Sequence, residues 1–200
     1  MKFVLRILAL STALFFACNP KKTGNDVGKE KENGKETAFP DTSGKGNATE
    51  VMLKMKEELE NMSPLSPDEL KKRIPEKLMG ATRSDIDVSD GLGTLAAGTD
   101  YQINDSTAIR LEIIDCAGAG GVGFFSMQYT SMMEPEENDS EITYKVIDFN
   151  GYKASESCMK SRPGDCTFSF FTGNRFYILM EGSHVGIEPL KEAAGKLDIK

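Results

Sequence analysis

The sequence predicts an α+β fold, a mainly antiparallel β-sheet of about six to seven strands with helices packed on it. Three observations carry that prediction. Stretches around Met55, Phe125 and Leu190 repeat apolar residues every three or four positions, as one face of a helix does. Elsewhere, short runs alternate apolar and polar residues with the period of a half-exposed strand. Those runs come in pairs joined by Asn-Asp, Asn-Gly and Thr-Gly-Asn turns, which makes neighbouring strands antiparallel.

In chain order, residues 1–17 stand apart from the fold. Lys2 and Arg6 supply positive charge and Ile7 to Phe16 is an apolar run, the pattern of a signal peptide and too short to span a bilayer comfortably. The run ends "LFFAC", which resembles the lipobox of bacterial lipoproteins. That resemblance implies export, lipidation of Cys18 with acyl chains such as palmitate, and a cell-envelope protein anchored to a bacterial membrane facing the periplasm or the cell surface. No A-x-A-like site precedes Cys18, which favours this processing over ordinary secretory cleavage.

Residues 18–48 are rich in Lys, Glu, Gly and Asn and nearly free of large apolar groups, so burial cannot offset the entropy of ordering them. They read as a disordered tether, whose root-mean-square span as a flexible coil is on the order of 30 Å. Residues 49–200 read as a single domain.

Within that domain, "TEVMLKMKEELENM" places Met52, Met55, Leu59 and Met62 on one helical face. A methionine stripe can handle metal in an exported protein, but this spacing fits core packing better. "SPDEL" supplies a capping box: Ser66 as N-cap, Pro67 in the first helical position, Glu69 three residues on. Pro75 ends that helix, and "PEKLMG" is expected to form one further turn closed by Gly80.

"TLAAGTDYQI" and "TAIRLEIID" flank the Asn104-Asp105 turn and form the first strand pair. "EITYKVIDF" and "YKASES" flank Asn150-Gly151, and "CTFSFF" and "RFYILME" flank Thr172-Gly173-Asn174. The last of these strands is apolar on both faces and is expected at the centre of the sheet. Val122, Phe125, Tyr129 and Met132 mark a helix between the strand pairs; Ile187, Leu190, Ala194 and Leu197 mark a closing one. This element order resembles a PsbP-like or Mog1-like antiparallel sandwich, a likeness of fold that implies no function.

Charge narrows the partners. The domain carries 16 Lys and Arg against 26 Asp and Glu, a net charge of −10, with no basic run, which argues against nucleic acid and against direct adhesion to anionic lipid. The expected membrane contact is the lipid anchor alone.

Several motifs bear on chemistry. Gly118, Gly120 and Gly123 spell G-x-G-x-x-G after a strand, the fingerprint of a dinucleotide-binding turn, and Asp148 follows at the end of a later strand. Against that reading, the leading strand alternates where a Rossmann strand is continuously apolar, Asp148 comes too late, and the flanking hairpins are antiparallel. A tight strand-to-helix turn is the expectation.

Cys158 and Cys166 bracket a Pro-Gly turn, so a hairpin-closing disulfide is expected in an oxidising envelope. Cys116 is then left over. Cys116, Cys158, Cys166 and His184 form the alternative, a metal site, although no close C-x-x-C pair occurs among them. His184, the sole histidine, has no G-x-S-x-G elbow to serve. Asp85 to Gly91 begins like a calcium loop, but Asp90 and Ala96 occupy the positions where Gly and a bidentate Glu are required, so an acidic turn is expected. Glu134 to Glu141 reads as a solvated acidic loop that collects divalent cations weakly.

The expectation is a lipid-anchored envelope protein whose domain binds a protein or small-molecule partner, without a cofactor and without catalysis. Nucleotide chemistry at Gly118–Gly123 and metal binding at the three cysteines and His184 are the alternatives.

Overall fold

Helix α1 (Lys45–Glu60) leads into the capped α2 (Pro67–Lys71), and a short hairpin follows, β1 (Lys77–Leu78) with β2 (Ala81–Thr82). Then come β3 (Asp87–Gly91), β4 (Thr94–Asn104), β5 (Thr107–Asp115), α3 (Gly118–Ser131), β6 (Ile142–Phe149), β7 (Tyr152–Met159), β8 (Cys166–Thr172), β9 (Phe176–Ser183) and α4 (Ile187–Ala194). This computed structural model describes residues 45–91, 93–133 and 140–199, with side chains from residue 49 onward. The export segment, Cys18, the tether up to residue 44 and most of the Glu134–Glu141 loop lie outside the described residues. All described residues fall within one unit, Thr37–Lys200.

Seven strands form one sheet in the order β3-β4-β5-β9-β8-β7-β6, every neighbouring pair antiparallel. The fold is therefore α+β, as the paired alternating runs predict. β3–β4–β5 and β6–β7–β8–β9 are two sequential meanders joined along a single seam, β5 against β9. β9 lies centrally, as its two apolar faces require.

The sheet is covered on both faces. On one, Val51, Met55 and Leu59 of α1 and Val122, Phe125 and Tyr129 of α3 bury Ala96, Ile114, Phe171 and Tyr177. Met52 and Met62 are half-buried against the same cluster, so the methionine stripe is packing surface. On the other, Leu70 of α2, Leu78 of the hairpin and Leu190 and Ala193 of α4 cover Ile109, Leu111, Ile113, Phe168, Ile178 and Met180.

Local signals explain many of the boundaries. Ser66 caps α2 with both bonds of the capping box: its backbone N–H donates to Glu69 Oε2 at 2.8 Å, and its Oγ accepts from the Glu69 N–H at 3.4 Å. Asn150 and Gly151 have φ of 52° and 82°, the geometry their hairpin turn demands.

Two expectations need correction. "PEKLMG" is not a helical turn but the β1–β2 hairpin, with Met79 and Gly80 at φ 50° and 85°. Gly80 adopts that angle without strain, and Met79 follows because a two-residue turn of this type needs positive φ at both positions. The acidic stretch Asp85–Gly91 is not a free turn; from Asp87 on it is the edge strand β3, and Asp87 Oδ2 accepts from Arg110 Nη2 at 2.8 Å.

Candidate functional site

The glycine motif can now be placed. Its preceding strand β5 runs between two antiparallel neighbours, and α3 begins at Gly118, so all three glycines lie in the first turns of the helix. Gly120 packs against the β3–β4 turn so closely that a Cβ there would lie 2.2 Å from the Gly93 carbonyl oxygen. A Cβ on Gly123, by contrast, would meet nothing within 4 Å. Gly120 makes a backbone approach to another turn of the same domain, and Gly118 takes a positive φ of 74° beside Pro64, the structural reading of the motif.

The carboxylate beside it is committed as well. Asp115, buried at the end of β5, accepts from Arg175 Nε at 2.8 Å, from the Leu65 N–H at 2.8 Å and from the Ala117 N–H at 3.1 Å. Burial pushes its pKa up, but the Arg175 hydrogen bond and the two N–H donors outweigh burial and hold the carboxyl below the ordinary aspartate range. Cys116, fully buried next to it, has its thiol pushed up to about 12, first by burial and then by the Asp115 charge.

Cys158 and Cys166 are joined in a disulfide at directly paired positions of β7 and β8. They border the face covered by α2 and α4, whereas Cys116 belongs to the cluster under α1 and α3. The structure thus separates the cysteines, and among the described residues no group of three His, Cys, Asp or Glu side chains is placed to hold a metal. His184 holds a loop: its N–H donates to Asp165 Oδ1 at 3.0 Å, its Nδ1 lies 3.1 Å from the Ser106 carbonyl oxygen, and its ring is exposed.

A different place collects accessible side chains. A cleft of about 580 Å³ lies between the exit of α2, the β1–β2 hairpin, α4 and the chain after it. Leu78, Ala193 and Ile199, all buried in the core beneath, form its floor. Pro75, Met79, Pro189 and Leu197 add apolar walls, and Met79 is 45% exposed at its positive-φ position. Lys72, Arg73, Lys77 and Lys196 supply cations, against the carboxylates of Glu192 and Asp198.

Each part of this cleft has a structural reason. Tyr101 reaches through the core to donate its hydroxyl to the Pro75 carbonyl at 2.6 Å, which pins the chain between α2 and the hairpin. Burial pushes that phenol up to about 12, so it remains a donor at any ordinary pH. The Arg83 N–H donates to the Glu76 carbonyl at 2.9 Å and fixes the base of the hairpin. Arg73 lies over the Phe176 ring with its guanidinium carbon 5.7 Å from the centroid. Lys196 pairs with Glu192 at 2.7 Å, whereas Lys72 and Lys77 enter no ion pair within 4 Å among the described residues.

These cations are what the composition conceals. Lys71-Lys72-Arg73 is a short basic run inside an acidic domain, contrary to the expectation that none exists, and the hairpin and the chain after α4 bring Lys77 and Lys196 to it. The signal in the sequence is the local charge reversal of "KKRIPEK", which a domain-wide sum averages away.

No helix among the described residues is long and apolar enough to cross a membrane. Compared with family models, curated proteins and solved structures, the chain matches none.

Proposed function

We propose that this is a lipid-anchored envelope protein whose folded domain binds a ligand in the cleft between the hairpin and α4. The observation that carries the binding reading is the cleft itself. It combines exposed cations with an apolar floor in a volume of the size that small-molecule sites occupy. The perturbed groups elsewhere support binding over catalysis, because Asp115, Cys116 and Tyr101 are each sealed into the core by packing or by partners with a structural role. The anchoring reading rests on "LFFAC" and its apolar leader.

Two experiments test the two halves. Cys18→Ala is expected to abolish incorporation of labelled acyl chains and retention in the membrane fraction; unchanged retention overturns the anchor. For the cleft, a panel of small anions and amphiphiles is expected to raise the melting temperature of the natural chain but not of Pro189→Trp, which puts a large ring into the opening from an exposed position. Equal shifts in both proteins place the binding elsewhere.

A further inference from the structure

We infer that the cleft takes a single-chain anionic amphiphile, an alkyl carboxylate of the fatty-acid class. Its head would sit among Lys72, Arg73 and Lys77, and its chain against Leu78, Leu197 and Ile199. This inference rests on the reading of the cleft as a binding site and names what fills it.

Charge is the first argument. The domain is strongly acidic, so its general field repels anions, yet this cleft is lined by four cations and two carboxylates. One carboxylate, Glu192, is already neutralised by Lys196. Lys72 and Lys77 are left as exposed donors without a paired acid among the described residues, and a carboxylate meets them with charge-assisted hydrogen bonds.

The apolar lining is the second argument. Seven of the thirteen lining residues, Pro75, Leu78, Met79, Pro189, Ala193, Leu197 and Ile199, are apolar. A bare inorganic anion would leave that surface wet, and a neutral chain would leave the cations with water alone. A head and a chain on one molecule satisfy both. The exposed thioether of Met79 suits this task, since methionine adapts to irregular apolar partners.

A bilayer surface is disfavoured as the occupant. Docking on anionic headgroups brings the whole acidic domain against like charge, whereas a free amphiphile needs only the cleft.

The test is titration calorimetry of the full chain with laurate below its micelle concentration, beside acetate, dodecanol and phosphatidylglycerol vesicles. One saturable laurate site per chain is expected, with much weaker binding of acetate and dodecanol. Lys72→Gln/Lys77→Gln is expected to weaken laurate about tenfold, the sum of two partly exposed charge contacts. Lys54→Gln/Lys56→Gln, on the far helix α1, should leave it unchanged. Both double variants replace exposed side chains, and equal melting temperatures without ligand confirm that folding is intact.

Absence of saturable laurate binding overturns the inference, as does laurate binding indifferent to Lys72 and Lys77, dodecanol binding as tight as laurate, or binding to vesicles alone. If laurate fails while another compound still shifts the natural chain and not Pro189→Trp, the cleft remains a binding site and only the ligand class falls. If nothing shifts the natural chain, both readings fall.

Discussion

Arg175 grips Asp115 at two points across the seam between β5 and β9, its Nε donating to Oδ1 at 2.8 Å and its Nη2 to Oδ2 at 2.9 Å. The same Nη2 donates to the Ser63 carbonyl at 2.8 Å, so a buried carboxylate and a half-buried guanidinium tie together the α1–α2 connection, the entry to α3 and the β8–β9 turn. The Asp115 side chain is fully buried, and removal of either partner strands a charge or its donors away from water.

Asp115→Ala is therefore expected to cost about 3 to 5 kcal/mol of stability in urea unfolding. In a cycle with Arg175→Met the double variant should lose less than the sum of the singles, with a coupling of at least about 1 kcal/mol. Simple additivity would show that the pair does not hold the three segments together.

The lowered Asp115 pKa gives this contribution a pH dependence. A depressed carboxylate stabilises the fold fully above its unfolded value, near the ordinary 3.8, and the contribution is lost as pH falls through the lower folded-state value. Unfolding free energy of the natural chain should thus fall more steeply as pH drops below about 4 than that of Asp115→Asn. Parallel profiles would assign the acid sensitivity to other carboxylates.

The glycines of the G-x-G-x-x-G motif should respond unequally. Gly120→Ala drives a Cβ into the Gly93 backbone and is expected to cost about 1 to 3 kcal/mol, as overpacking does. Gly123→Ala sits in open space within a helix and is expected to stabilise by about 0.5 to 1 kcal/mol. Thermal unfolding distinguishes them, and equal losses at both positions would contradict the packing account.

Thiol chemistry checks the cysteine assignments. With its thiol pushed up to about 12 and no exposure, Cys116 should resist thiol reagents at pH 8 until the protein unfolds. Cys158 and Cys166 should contribute no thiol before reduction. Replacing both by Ser removes a short closed loop worth about 2.5 kcal/mol by chain entropy, a fall of roughly 5 to 10 °C in melting temperature.

What could be read from the sequence was local in origin. Ser66 and Glu69 announce their capping box within four residues, and Asn150-Gly151 announces its turn within two. The disulfide was legible because its cysteines flank one hairpin turn. Asp115 and Arg175 are 60 residues apart, so nothing near either names the other, although a carboxylate ending the apolar run "EIID" implies a buried partner. β3 was not legible because an edge strand exposed along most of its length needs no alternation, and its first acid, Asp87, pairs with Arg110 instead. The cleft was not legible because it is assembled from the exit of α2, the hairpin, α4 and the chain after it, and their cations meet only once the sheet is formed.

The seam also sets an order in time. Each meander pairs strands that follow one another along the chain, so both can form through short loop closures, whereas β5 must wait for β9 to be made and brought back to it. The sheet should close at its middle last, and the Asp115–Arg175 grip is then the latch of assembly: substitutions there should mainly speed unfolding, while changes inside either meander slow folding.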